Sequence, residues 1–108
     1  MIDFDPDKIR ERLAEVGEEW ADKDAAANLL EETKSVLLAE LMLAADGTSK
    51  ADREMHAKAN AAYRLHITNM VTARKDANRA RVRFETGKMW AELRRSQEST
   101  RREEMRIR

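Results

Sequence analysis

Few side chains in this sequence are of a type that does chemistry, and their spacing narrows the field further. His56 and His66 are the only histidines. They stand ten residues apart, and neither has a His, Asp or Glu three or four residues further on to complete a metal pair on one helix face. His66 instead falls on an apolar seam, level with Leu30, as a core or boundary histidine. Cysteine is absent, which removes disulfides and thiolate chemistry and suits a reducing compartment. No Gly-rich phosphate loop, Ser/His/Asp arrangement or paired-carboxylate pocket is present. The expected protein is therefore not an enzyme and uses no metal or cofactor.

What remains is charge. Arg74, Arg81, Lys88, Arg95 and Arg102 recur every seven residues, which puts five cations along one edge of one helix. Such a row can meet nucleic-acid phosphates or an acidic protein surface. It can equally be a flanking row that pairs with the acids of a neighbouring helix. Glu11, Glu15, Glu18 and Asp22 form an acidic counterpart, read as a solvated face, a match for the basic row or a dock for a basic partner. Aromatic interleaving, the mark of stacking on single-stranded bases, is nearly missing. Phe84 falls on the seam, and Trp90 lies off it, at a subunit contact or a functional surface. The net charge of zero conceals a gradient: residues 1–46 carry −8, residues 47–71 carry +2 and residues 72–108 carry +6.

These rows need long helices to hold them, and the sequence supplies two. Asp5-Pro6-Asp7 reads as an N-cap followed by proline at the first helical position, with Phe4 and Ile9 placed as a hydrophobic staple. From Ile9 the apolar residues recur at steps of four and three through Leu13, Val16, Trp20, Ala27, Leu30, Leu37, Leu41 and Ala44, which predicts a helix over about 6–45. Residues of about 46–49 form the turn, with Gly47 in a left-handed conformation ending the helix and Ser49 capping the next. A second helix is expected to run unbroken over about 50–106, since this stretch has no proline and one glycine. Its seam is made of small residues: Ala59, Ala62, His66, Met70, Ala73, Ala77, Ala80, Phe84, Gly87 and Ala91. Short linkage makes the two helices antiparallel neighbours, with residue i of the first level with residue 95−i of the second. Trp20 then faces Ala73 and Ala77, Leu13 faces Ala80 and Phe84, and Gly87 packs beside Ile9. The partner runs out near residue 91, leaving a charged overhang.

The fold class is thus all-α: one helical-hairpin domain, coiled-coil-like, with the second helix the longer. Leu29, Val36, Leu38, Met42 and Leu43 widen the apolar stripe beyond what one partner helix covers. Burying a leucine is worth roughly 1.5–3 kcal/mol, so these five are expected to form an oligomer interface, most simply two hairpins joined as a bundle. No run approaches the ~18 apolar residues of a membrane span, and the amino terminus lacks a signal-peptide apolar core. The expected location is the cytoplasm.

Three pieces, Ala80-Arg-Val-Arg-Phe-Glu, Leu93-Arg-Arg-Ser-Gln and Arg101-Arg-Glu-Glu-Met-Arg, resemble the carboxy-terminal half of small helical proteins of tailed phages and prophages. That resemblance covers about the last third of the chain. It implies an accessory protein of a phage, working in the bacterial host cytoplasm, with some association with DNA transactions, and it carries no activity or functional residue with it. The leading expectation is a non-enzymatic, oligomeric interaction or scaffolding protein that binds itself and a protein partner. The alternative is a nucleic-acid-binding accessory protein that touches phosphates through the five-cation row. A secreted helical-hairpin effector fits less well, because the turn has no Trp-x-Gly motif and Trp20 falls mid-helix.

Overall fold

Three helices account for nearly all of the computed structural model, which describes residues 5–107. Helix α1 spans Pro6–Ala44, α2 spans Lys50–Ala59 and α3 spans Ala61–Ile107. The two long helices pack antiparallel, with α3 the longer, in a body of 86 × 19 × 19 Å. The expected all-helical hairpin is therefore the observed one, with one helix more than anticipated.

Local chemistry starts α1 where expected. The Asp5 carboxylate accepts from the backbone N–H groups of Asp7 at 3.0 Å and Lys8 at 3.4 Å, and Pro6 takes the position whose N–H has no helical partner. Phe4, the other half of the expected staple, lies outside the described residues. The end of α1 differs from expectation. Ala45 is extended (φ −79°, ψ 144°) and its N–H donates to the Met42 carbonyl, so no left-handed residue closes the helix. Gly47 adopts φ +156° further into the turn, where a Cβ would stand 3.0 Å from Asp52 Cβ and 3.3 Å from the Arg53 backbone nitrogen. Glycine is needed there for close approach of the chain to the start of α2. Ser49 caps α2 through its hydroxyl, which accepts from Asp52 N–H at 3.1 Å. The Asp52 carboxylate in turn accepts from the Thr48 hydroxyl at 3.5 Å.

The expected unbroken second helix is divided at Asn60. That residue is extended (φ −67°, ψ 137°) and its N–H donates to the Ala57 carbonyl, ending α2. Its side-chain oxygen then accepts from Ala62 N–H at 2.8 Å and its carbonyl from Arg64 N–H at 3.1 Å, starting α3. Asparagine favours this role because its short amide caps a helix better than it sits inside one. The corner turns Ala59 and Ala62 out to solvent, contrary to the expected seam. Ala57, 1% exposed, is buried, while Tyr63 and Ile67 are half-buried.

Along α1 and α3 the seam forms at the expected positions but in a shifted register. A Cβ on Gly87 would lie 3.3 Å from Leu13 Cδ2, so Gly87 faces Leu13 and not Ile9. Phe84 lies over Gly17, and its ring stacks at a tilt on Trp20 with centroids 5.6 Å apart. The shift is about one helical turn, or ~5 Å. The shift builds up along the helix pair beyond His66, whose ring still meets Leu30 at the expected level. The interior is narrow: among the described residues Ala27, Ala57, Ala77, Ala80 and Ala91 are the buried ones, and no large side chain is fully enclosed. The small side chains of Ala27, Ala77, Ala80 and Ala91 suit close packing of α1 against α3.

Candidate functional site

The shifted register decides what the basic row meets. Arg74, 30% exposed, reaches across to α1 and uses every face of its guanidinium. Its Nε donates to Glu31 Oε1 at 2.7 Å, one terminal nitrogen donates to Asp24 Oδ1 at 2.7 Å, and the other to Asn28 Oδ1 at 2.6 Å and Glu31 Oε2 at 2.9 Å. Asp24, Asn28 and Glu31 sit at i, i+4 and i+7 beside the buried Ala27, so one turn-spaced edge of α1 offers three acceptors to one fork. The hydrogen bonds from Arg74 hold the Glu31 carboxyl below the usual carboxylate range, and the two carboxylates raise Arg74 above its ordinary value. Arg74 is thus an interhelix clamp. Sequence reasoning missed its partners, although their spacing next to a seam alanine was a readable signal.

Arg81, Lys88, Arg95 and Arg102 are brought together differently. All four are exposed, and none forms an ion pair among the described residues. The second interhelix pair is instead Arg83 with Glu19 at 2.9 Å, a residue outside the row. Lys23 joins Glu19 at 3.2 Å; that hydrogen bond first, and the Arg83 charge second, lower the Glu19 carboxyl. Arg95 and Arg102 border a groove of ≈ 350 Å³ whose floor includes Pro6, Ile9, Leu13 and Ala91. Residues of α1 therefore share a groove with α3 as far as Arg102, further than the expected limit near residue 91, and the exposed overhang begins at Glu103. The acidic stripe Glu11, Glu15, Glu18 and Asp22 faces solvent, with Glu15 paired to Arg12 of its own helix at 3.3 Å.

Of the five apolar candidates for an interface, Leu29, Val36 and Leu43 are well exposed, at 61%, 55% and 83%, while Leu38 and Met42 are half-buried. At ~100° per residue the exposed three share one narrow sector on the side of α1 opposite the seam. A second exposed stripe was not anticipated. Val71, Val82, Met89 and Leu93 fall within a sector of about 40° on the side of α3 away from α1. Val71 and Val82 line an open groove of ≈ 830 Å³ together with Lys75 and Arg79. Their spacings of eleven, seven and four residues are present in the sequence, but the cationic heptads of the same helix give the stronger signal. Trp90 is 52% exposed, and Phe84 is half-buried in the seam.

His66 occupies the expected place. Its Nε2 lies 2.7 Å from the Leu30 carbonyl oxygen and donates to it across the helix pair. His56 is exposed beside the turn. Among the described residues no three His, Asp or Glu side chains gather as a metal donor set, and no helix is long and apolar enough to cross a membrane. Comparison with protein families, with curated proteins and with solved structures finds no match for this chain.

Proposed function

We propose that this protein is a non-enzymatic helical scaffold that works by association, with itself and through that assembly with other proteins. The observation that carries the reading is the pair of exposed apolar stripes on opposite outer faces, Leu29–Val36–Leu43 on α1 and Val71–Val82–Met89–Leu93 on α3. Single exposed apolar residues are ordinary, but their recurrence along one sector of each outer face of a slender rod suits a contact surface. The internal seam supports the same view: its fully buried members are all alanines, so much of the large apolar surface awaits cover. Measurement of molar mass by sedimentation equilibrium over a wide concentration range tests it. The wild type is expected to associate, and Leu29→Gln with Val36→Gln to lower the mass while keeping the helical circular-dichroism signal. A wild-type protein that stays monomeric at the highest concentration would sink the proposal.

A second reading rests on Arg81, Lys88, Arg95 and Arg102, four exposed cations on one edge of α3. They suit sequence-independent contact with nucleic-acid phosphates. Four such contacts make log K fall against log salt with a slope of about −3 to −4 on duplex DNA. Titration of short duplexes across a salt series, with Arg81→Glu and Lys88→Glu as controls, separates this reading from a protein-only scaffold.

A further inference from the structure

The two outer stripes differ in the charges that surround them, and that difference selects their partner. Around Leu29, Val36 and Leu43 the outward sector of α1 carries Glu18, Asp22, Glu32 and Glu40, all exposed, and no Lys or Arg. Around Val71 and Val82 the groove of α3 carries Lys75 and Arg79, with Arg83 at its edge. The one acid lining that groove, Glu31, is already held by Arg74. Neither the four α1 acids nor Lys75 and Arg79 take part in ion pairs among the described residues. One surface is apolar with an acidic rim; the other is apolar with a basic rim.

From this we infer that the occupant of the α3 groove is the outer face of α1 from a second copy of the same chain. The inference rests on the scaffold reading above and specifies its contact. Pairing α1 with α1 sets acidic rim against acidic rim, and pairing α3 with α3 sets basic against basic; like charges brought together at a desolvated contact oppose binding. Only the crossed arrangement joins apolar to apolar and acid to base at once. The contact is heterologous, so each copy uses one face to receive and the opposite face to insert. The stripes also lie at different heights on the rod. Leu30 is level with His66, which places Val36 nearer the turn and Val82 nearer the other end. The middle of the groove and Val36 are therefore offset along the long axis by roughly 20–25 Å, at ~1.5 Å per residue.

Paired charge reversal tests this. Glu32→Lys with Glu40→Lys reverses the two acids that flank Val36; Lys75→Glu with Arg79→Glu reverses the two cations between Val71 and Val82. All four positions are exposed, and circular dichroism checks that helicity is kept. At low ionic strength each variant alone is expected to associate at least about tenfold more weakly than wild type. An equimolar mixture is expected to regain large assemblies in which the two variants alternate, because each then offers the other a complementary face. If the α1 variant alone is weakened, the α3 variant is unaffected and the mixture regains nothing, the groove is not the receiving site and the crossed pairing is overturned, while the scaffold reading stands. Crossed pairing is equally overturned if both variants associate like wild type. A monomeric wild type overturns both the pairing and the scaffold reading.

Discussion

Arg74 of α3 and Glu31 of α1 meet through two hydrogen bonds, of 2.7 Å and 2.9 Å, so that a guanidinium edge lies along a carboxylate across the helix pair. The hydrogen bonds hold the Glu31 carboxyl below its ordinary range. A carboxyl depressed in the folded state contributes stability that is fully present above its unfolded value and is lost as pH falls through the folded one. The hairpin is expected to keep its melting temperature from neutral pH down to the ordinary carboxylate range and to lose it below. Arg74→Met should remove the part of that acid sensitivity that belongs to Glu31, and Arg74→Met with Glu31→Gln should add little more. Thermal melts from neutral to strongly acidic pH, followed by circular dichroism, check both.

Two helical glycines in the seam should respond oppositely to larger side chains. A Cβ on Gly17 meets Phe84 Cε2 at 3.4 Å, an ordinary contact distance. Gly17→Ala therefore gains helix propensity and should stabilise by up to ~1 kcal/mol. At Gly87 the Cβ would already press on Leu13 Cδ2 at 3.3 Å. Gly87→Leu should overpack the seam and destabilise by roughly 1–3 kcal/mol. Urea denaturation of the two variants at one protein concentration measures both changes.

Ala61 tests the corner at Asn60. It is the first residue of α3 and follows an extended residue, the two conditions that suit proline. Ala61→Pro should leave the stability unchanged or raise it by ~0.4–1 kcal/mol through the unfolded chain. In a continuous helix the same substitution costs about 3 kcal/mol. A loss of that size would show that the helix runs straight through Asn60.

Truncation separates the seam from the overhang. Residues 103–107 are exposed and line no groove, so removing the chain after Arg102 should leave the melting temperature unchanged. Removal after Ala91 also takes away Arg95 and Glu98, which line the groove over Ile9 and Leu13, and should lower it. Equal melting temperatures for the two truncations would return the end of the helix pair to the level of Ala91.

The parts legible in the sequence are those governed by local chemistry or by period. Asp5-Pro6 starts α1 because capping depends on neighbouring residues alone. The seam positions Leu13, Trp20, Ala77 and Ala80 follow from helical spacing, and His66 reached Leu30 because both lie near the turn, where little register error has accumulated. Asn60 was hidden by its setting: Ala59, Ala61 and Ala62 favour helix strongly enough that one capping residue among them does not register. Beyond His66 the register departs from the expected one, by about a turn at Phe84 and Gly87. That departure changed the partner of Gly87 and brought Phe84 onto Trp20. The candidate cations part company for a reason internal to α3. Arg74 lies on the edge that faces α1, whereas the drift of ~20° per heptad between a seven-residue row and a straight helix carries Arg102 to the groove beside Pro6.

The alanine lining of the seam has a thermodynamic consequence. Heat capacity rises on unfolding in proportion to the apolar surface newly wetted, ordinarily by ~12–15 cal/mol/K per residue. A hairpin whose fully enclosed described residues are all alanines, with its larger seam residues only half-buried, wets less on unfolding than a thick-cored domain of its length. Its increment falls below that range, and its free energy of unfolding varies with temperature along a shallow arc. Cold therefore erodes the isolated hairpin less than it erodes a thick-cored domain. A partner that enclosed the outer leucines and valines would deepen the arc and bring cold sensitivity with it.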